Sequence, residues 1–245
     1  MIDTHAHLGD DAAEVLQRAH DAGVTRVIDV ATTLDGARHA LARAEATGGV
    51  VRCVLGVHPH EAARFDLAAL DELQELLAHP CAVAVGETGL DYFRDYAPAS
   101  AQQALFEAQL ALAVATGKPA VIHTRAADDD TRARLLAHDG RVILHCFSSP
   151  PLLDDALARG WWVSFAGNVT YKNAYDLRAA ARRVPANRLL AETDSPYLAP
   201  QAARGRRNEP AFVMHTLAAL ADARGVEPAE LEAQIERNAD EVFRL

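Results

Sequence analysis

Eight short apolar runs recur along the chain between longer amphipathic segments, and this alternation restricts the possible folds more than any other feature. Each run holds four to eight residues, mostly Val, Ile, Leu or Ala without polar alternation, as in strands buried on both faces of a parallel sheet. Strands that alternate strictly with helices favour a parallel sheet with helical crossovers. The predicted strands are Met1–Thr4, Val24–Val30, Val50–Val57, Ala82–Val85, Pro119–Ile122, Arg141–Leu144, Trp161–Phe165 and Arg188–Ala191.

The segments between the strands carry apolar residues at the three- and four-residue spacing of amphipathic helices. The length of the chain leaves roughly 31 residues for each strand–helix pair of a barrel. We therefore predict an α/β fold, a (β/α)8 TIM barrel that forms one domain over residues 1–245. The alternative is an open doubly wound sheet, which predicts a glycine-rich loop after the first strand, where this chain has THAHLGD. The clearest predicted helices are Asp11–Ala22, Asp66–Ala78, Ser100–Thr116, Leu152–Arg159 and Pro228–Phe243.

Composition argues against several classes of protein. The net charge of −10 does not favour a protein that coats nucleic acid, although a few local cations can still hold a polyanion. Three cysteines without a CxxC pair predict neither a disulfide framework nor a thiolate zinc site. The acidic start of the chain does not match a signal peptide, and no apolar stretch reaches the roughly 20 residues of a membrane span. We expect a cytoplasmic monomer with no membrane partner.

Histidines and carboxylates recur where the predicted strands end. His5 and His7 follow the first strand two residues apart, a spacing that directs both imidazoles to the same side of an extended chain. Because the carboxyl ends of barrel strands converge at one mouth, residues after the other strands are expected to join them. Imidazole with carboxylate suits zinc, manganese, cobalt or iron, and six ligands suit two ions bridged by a carboxylate. The other candidates are Glu87, His123, His145 and Asp194, the last of which ends the segment Glu192–Asp194.

Each of these residues has an ordinary structural explanation when it is taken alone. Most single histidines after a strand are core or surface residues, Glu87 could interact with a helix dipole, and Asp194 could belong to a turn before Ser195. Their joint placement at strand ends favours a metal centre, because five of the other seven histidines fall in or beside predicted helices. Those histidines are His20, His39, His79, His138 and His215.

Eight motifs follow one another along nearly the whole chain. They are DTHAHL (Asp3–Leu8), GVHPH (Gly56–His60), GETGLDY (Gly86–Tyr92), Pro119–Ile122 with HTR (His123–Arg125), HCFS (His145–Ser148), GNVTYKN (Gly167–Asn173), ETDSPYL (Glu192–Leu198) and RNEP (Arg207–Pro210). In this order they resemble the TatD-type metal-dependent deoxyribonucleases, which are amidohydrolase-like barrels. The resemblance implies a TIM barrel of the metal-dependent hydrolase type that cleaves phosphodiester bonds in DNA.

The same resemblance implies which residues hold metal. It assigns one divalent ion to His5, His7, Glu87 and Asp194, and a second to Glu87, His123 and His145, so that Glu87 bridges the two ions. The expected ions are Zn, Mn or Mg. Asp194 and Glu87 are the predicted catalytic residues, with Asp194 accepting the proton of the attacking water. A narrow barrel mouth suits single-stranded or end-frayed DNA, and the resemblance adds 3′–5′ exonuclease polarity.

Side chains on the loops after the strands are candidates to bind phosphate oxygens. A solvated surface charge is the ordinary alternative for each loop arginine, and a structural turn is the alternative for His58. Two departures from the family pattern lie near the expected substrate: Ala126 stands where the family commonly has Asp, and Tyr171 where it often has Phe. The predicted substrate-binding residues are His58, Arg125, Ser148, Lys172, Arg206 and Asn208.

Two other functions remain open at this point. A related barrel could hydrolyse a small amide, lactone or phosphoester, but many such enzymes carry a carboxylated Lys on the fourth strand, where this chain has Glu87. A non-catalytic protein could use the ligands as a structural staple, but a barrel of this size buries enough core without one.

Overall fold

The computed structural model describes residues 1–245 and confirms the predicted (β/α)8 barrel. Eight parallel strands follow one another in the sheet in chain order. The strands are β1 (Ile2–Ala6), β2 (Arg26–Val30), β3 (Val51–Leu55), β4 (Ala82–Asp91), β5 (Ala120–Arg125), β6 (Val142–Leu144), β7 (Trp162–Phe165) and β8 (Leu189–Ala191). The helices are α1 (Ala12–Asp21), α2 (Leu34–Ala46), α3 (Leu70–Leu77), α4 (Ala99–Thr116), α5 (Asp128–Leu136), α6 (Leu153–Arg159), α7 (Tyr175–Arg183), α8 (Val213–Arg224) and α9 (Pro228–Phe243).

All eight strands lie where the apolar runs predict them, but three extend further than predicted, β1 by His5 and Ala6. β4 continues from Val85 to Asp91, and β5 continues from Ile122 to Arg125. Most of the residues added to β4 and β5 are polar or glycine, so a search for apolar runs ends each of these strands too early. Their backbones nevertheless pair in the sheet, with Gly89 opposite His123. The polar residues of the two strands are therefore held by strand pairing rather than by flexible loops.

The backbone contacts divide the chain into two compact units. The first unit comprises residues 1–29, 145–150 and 162–245, and the second comprises residues 30–144 and 151–161. The first unit contains the paired strands β7 and β8, as well as β1 and almost all of β2. Its β1 and β8 ends are joined by two backbone hydrogen bonds, from Asp194 N–H to the His5 carbonyl (2.9 Å) and from His7 N–H to the Ser195 carbonyl (2.8 Å).

The second unit contains β3, β4, β5 and β6, which pair in that order. Buried glutamines of α4 attach that helix to the strand ends. Gln109 binds both the N–H and the carbonyl of Val57, each at 2.8 Å, and Gln102 accepts from the Asp91 N–H at 2.8 Å. These bonds satisfy backbone groups that burial would otherwise leave unpaired. None of the helices combines the length and apolar character that crossing a membrane requires.

Candidate metal centre

Five residues of the first unit form what we call the first cluster: His5, His7, His145, Glu192 and Asp194. The potential ligand atoms of His5, His7 and Asp194 lie within 4.8 Å of one another. His7 Nε2 is 3.5 Å from Asp194 Oδ1, and the rings of His5 and His145 are stacked with centroids 3.9 Å apart. His5 and His145 are buried, whereas His7 is partly exposed. The first cluster therefore opens to solvent on the side of His7.

The local backbone explains how β1 and the segment after β8 present these side chains. The register of β1 against β2 shifts between Asp3 and Ala6, so β1 contains one extra residue next to His5. Such a bulge re-aims side chains beside a functional site. Asp3 accepts a hydrogen bond from Thr193 N–H at 2.9 Å and another from the Thr193 hydroxyl. These bonds hold the segment that carries Asp194 against β1.

Glu192 contacts His145 within the first cluster. Its Oε1 lies 2.9 Å from His145 Nδ1 and accepts the Cys146 N–H at the same distance. Glu192 is 1% exposed, and its second oxygen, Oε2, has no hydrogen-bond partner in the protein. A buried carboxylate oxygen of this kind is costly unless a donor or a cation satisfies it.

Five residues of the second unit form the second cluster: His58, His60, Glu87, Asp91 and His123. Glu87 Oε1 lies 2.8 Å from His123 Nδ1 and 3.5 Å from His58 Nε2. Asp91 Oδ2 lies 3.2 Å from His123 Nε2 and 2.8 Å from His60 Nε2. His123 is thus placed between two carboxylates, and each of its ring nitrogens has one acidic neighbour.

Two irregularities of β4 position Glu87 in the second cluster. The register against β5 shifts between Val85 and Thr88, which inserts an extra residue next to Glu87. Gly86, with a φ of 149°, precedes it in a backbone conformation that side-chain-bearing residues rarely adopt. The Gly86–Glu87 and Ser195–Pro196 peptide bonds are cis. Glu87 is 3% exposed and its backbone N–H donates to the Ala31 carbonyl.

Three residues of the clusters have shifted pKa values. Burial alone would raise the pKa of Asp194, but the hydrogen bond from His7 and the charges of the nearby imidazoles outweigh burial and lower this pKa below its usual value. Burial likewise opposes ionisation of Asp91, yet its hydrogen bonds to His123 and His60 hold the pKa of this carboxyl well below its usual range. Burial lowers the pKa of His58, which favours the neutral imidazole that a metal requires.

The residues of both clusters fit divalent metal ions. Each cluster offers imidazole nitrogens and carboxylate oxygens, the donor set of zinc, manganese and iron sites. In the second unit, ligand atoms of His58, Glu87 and His123 also lie within 4.8 Å of one another. The unpartnered Oε2 of Glu192 is a further negative group that a nearby cation would stabilise. Glu192 and Asp91 have the position of carboxylates that orient histidine ligands through the second ring nitrogen.

The predicted substrate-binding residues lie in different environments. Arg125, Ser148, Lys172 and Arg206 are exposed. Asn208, in contrast, is buried, and its amide donates to the carbonyls of Thr193 (2.8 Å) and Tyr197. Its side chain is therefore used to hold the loop after β8. His58 lies in the second cluster, beside Glu87.

Three residues of the clusters are not among the residues that the sequence predicts to bind metal or substrate. His60, Asp91 and Glu192 all belong to the motifs GVHPH, GETGLDY and ETDSPYL, so the signal for them was present. Their contacts, however, join residues from 31 to 47 positions apart in sequence. Spacing along the chain does not reveal such pairs.

Comparisons with known proteins agree with this geometry. The family model of TatD related DNases matches residues 2–244. An uncharacterized metal-dependent hydrolase TatD of Mycobacterium tuberculosis is 39% identical over 100% of this chain and 98% of its own length. A 3′-5′ ssDNA/RNA exonuclease TatD of Edwardsiella piscicida is 37% identical over 99% of this chain and 96% of its own. The crystal structure of YJJV, a TatD homologue from Escherichia coli K12, superimposes with a TM-score of 0.93 at 30% identity, covering 100% of this chain and 98% of that one. The chain therefore belongs to the TatD related DNase family and is a metal-dependent hydrolase.

Proposed function

We propose that the protein is a divalent-metal-dependent nuclease that removes nucleotides from the 3′ end of single-stranded or end-frayed DNA. The observation that carries this proposal is the pair of imidazole–carboxylate clusters, each with three potential ligand atoms within 4.8 Å of one another. The exonuclease of Edwardsiella piscicida, to which the chain is similar over nearly its whole length, supports the polarity and the single-stranded substrate.

We assign His5, His7 and Asp194 to one ion and His123 to the second. His145 would complete the ligand set of the second ion, and Glu87 would be a ligand shared by both ions. When bound, such ions neutralise the non-bridging phosphate oxygens and lower the pKa of water toward neutrality.

Side chains of the protein accept the proton, orient the histidines and bind the phosphates. Asp194 accepts the proton of the attacking water at a carboxylate oxygen, because it is the carboxylate that contacts partly exposed His7. Glu192 fixes the ring orientation of His145, and Asp91 does the same for His123. Arg125, Lys172 and Arg206 hold the phosphate chain, supplying local positive charge to a protein whose net charge is −10.

Digestion of 5′-labelled single-stranded DNA tests the proposal. With Mg²⁺ or Mn²⁺ we expect a ladder that shortens from the 3′ end, faster for single strands than for blunt duplex. The absence of nucleotide release with any divalent metal would refute the nuclease assignment. Parallel assays with small amides, lactones and phosphoesters test the alternative, since faster turnover of these compounds would identify an amidohydrolase-type enzyme.

The bridging role of Glu87 has its own test. Glu87→Ala should reduce the content of both metals and lower activity more than His7→Ala, which removes a ligand of one ion. Elemental analysis of the purified variants measures the metal content directly. Equal and mild losses in the two variants would contradict the bridging role.

We further propose that residues 1–245 act as one domain, and that the protein is a cytoplasmic monomer. A family model that matches residues 2–244 supports a single domain. Urea unfolding should then proceed in one transition by both tryptophan fluorescence and circular dichroism, and sedimentation should give the mass of one chain, 26.3 kDa. Two separate transitions would contradict the single domain.

A further inference from the structure

We propose that Phe93, Tyr96 and Arg125, which we call the aromatic platform, stack against a base of the single-stranded substrate. This proposal rests on the nuclease function proposed above. Phe93 and Tyr96 lie on the loop between β4 and α4, and each is 60% exposed. Single exposed apolar residues are ordinary, but two large rings on one short loop beside a cluster of potential metal ligands form a surface suited to a ligand.

A cation completes the aromatic platform. The guanidinium carbon of Arg125 lies 3.9 Å from the centroid of the Phe93 ring, and that of Arg94 lies 5.5 Å from the same centroid. Strand pairing fixes this stack, because Asp91 pairs with Arg125 and the Tyr92 N–H donates to the Arg125 carbonyl at 2.9 Å. The platform therefore has a defined position at the carboxyl ends of β4 and β5.

Hydrogen bonds join the aromatic platform to the second cluster. The Phe93 N–H donates to Asp91 Oδ1 at 3.0 Å, while Asp91 Oδ2 contacts His123. The Tyr96 ring also packs against His60, with centroids 4.7 Å apart. A base on the platform would consequently lie beside the second cluster.

The chemistry of these side chains matches single-stranded nucleic acid better than other anions. Bases stack on aromatic rings and on the planar guanidinium of arginine, and the same guanidinium binds phosphate oxygens. Every base offers such a face, so recognition would tolerate any sequence. The bases of a duplex are already stacked on one another, and the platform therefore gives a physical reason for a preference for single strands.

Binding of a fluorescein-labelled, phosphorothioate-linked oligothymidylate tests the platform. This probe resists hydrolysis, so anisotropy in Mg²⁺ reports the dissociation constant without turnover. Phe93→Ala should weaken binding roughly 5- to 140-fold, as expected for loss of one base–aromatic stack. Phe93→Leu, which keeps apolar bulk but lacks the ring, should weaken it similarly, whereas Phe93→Trp should retain affinity. Val114→Ala, at an exposed residue of α4, serves as a surface control and should bind like the wild type.

A probe of the same length with abasic sites distinguishes the loss of base stacking from a general loss of structure in the variant. It should bind the wild type weakly, and the difference between the wild type and Phe93→Ala should disappear. A Phe93→Leu variant that binds as tightly as the wild type, or a difference that persists on the abasic probe, would overturn the platform. If the wild type cleaves single-stranded DNA and either of these two binding results is observed, only the platform is refuted. If the wild type neither binds the probe nor cleaves DNA, the nuclease function and the platform fail together.

Discussion

Replacing Gly89 with alanine tests how strictly β4 positions His123. Gly89 pairs with His123 and has a φ of 140°, a conformation that alanine adopts only under strain. A methyl group at this position would lie 2.0 Å from the His123 carbonyl oxygen, whereas ordinary contacts begin at 3.4 Å. The two backbones must therefore separate by about 1.4 Å along this contact.

The expected losses follow from this displacement. Backbone strain of about 1–3 kcal/mol and a steric cost of similar size should reduce the free energy of unfolding by roughly 2–6 kcal/mol. His123 Nδ1 lies 2.8 Å from Glu87 Oε1, and a displacement of this ligand on the order of 1 Å is expected to lower kcat/KM on the order of 100-fold. Metal content should fall as well.

Gly117→Ala is the matched control. Gly117 also has a positive φ, 65°, but a methyl group there would have no atom within 4 Å. The Gly117→Ala substitution should lower the free energy of unfolding by about 1–2 kcal/mol through backbone conformation alone and leave activity unchanged. Urea unfolding and the nuclease assay measure both quantities in the two variants. If Gly89→Ala retained wild-type activity and was no less stable than Gly117→Ala, the argument that this contact holds His123 would be refuted.

Other predictions concern single side chains and the metal. Asp194→Asn should keep the fold, measured by circular dichroism, and lose most of kcat; full activity would exclude Asp194 as the proton acceptor. Asp91→Asn should lower metal affinity about 10- to 100-fold in a zinc or manganese titration, because it weakens the orientation of His123; unchanged affinity would contradict this role. Burial lowers the pKa of His138 below 6.5, so its contribution to stability is complete above pH 6.5 and is lost as the pH falls through the folded-state pKa. Urea unfolding across this range should therefore show that acid lowers the free energy of unfolding less for His138→Leu than for the wild type. Equal pH profiles for the two proteins would contradict this contribution of His138. Dialysis against EDTA should abolish nuclease activity and Mn²⁺ should restore it, whereas activity that survives complete metal removal would exclude a metal-dependent mechanism.

The amino-acid sequence determined the order and approximate position of all eight strands, because burial in a parallel sheet selects local runs of apolar residues. It also indicated the type of chemistry, since His5, His7 and Asp194 stand just where strands end and are found together. These inferences succeed because hydrophobic periodicity and strand ends are properties of short segments.

The tertiary structure alone determined which side chains touch. Apolar patterning ended β4 at Val85, yet the strand continues through Glu87 to Asp91, where a register shift and backbone pairing hold polar residues in the sheet. The contact of Asp91 with His123, like that of Glu192 with His145, joins distant parts of the chain. Such contacts depend on strand register and on backbone dihedral angles, which cooperative packing sets and local sequence patterns do not encode.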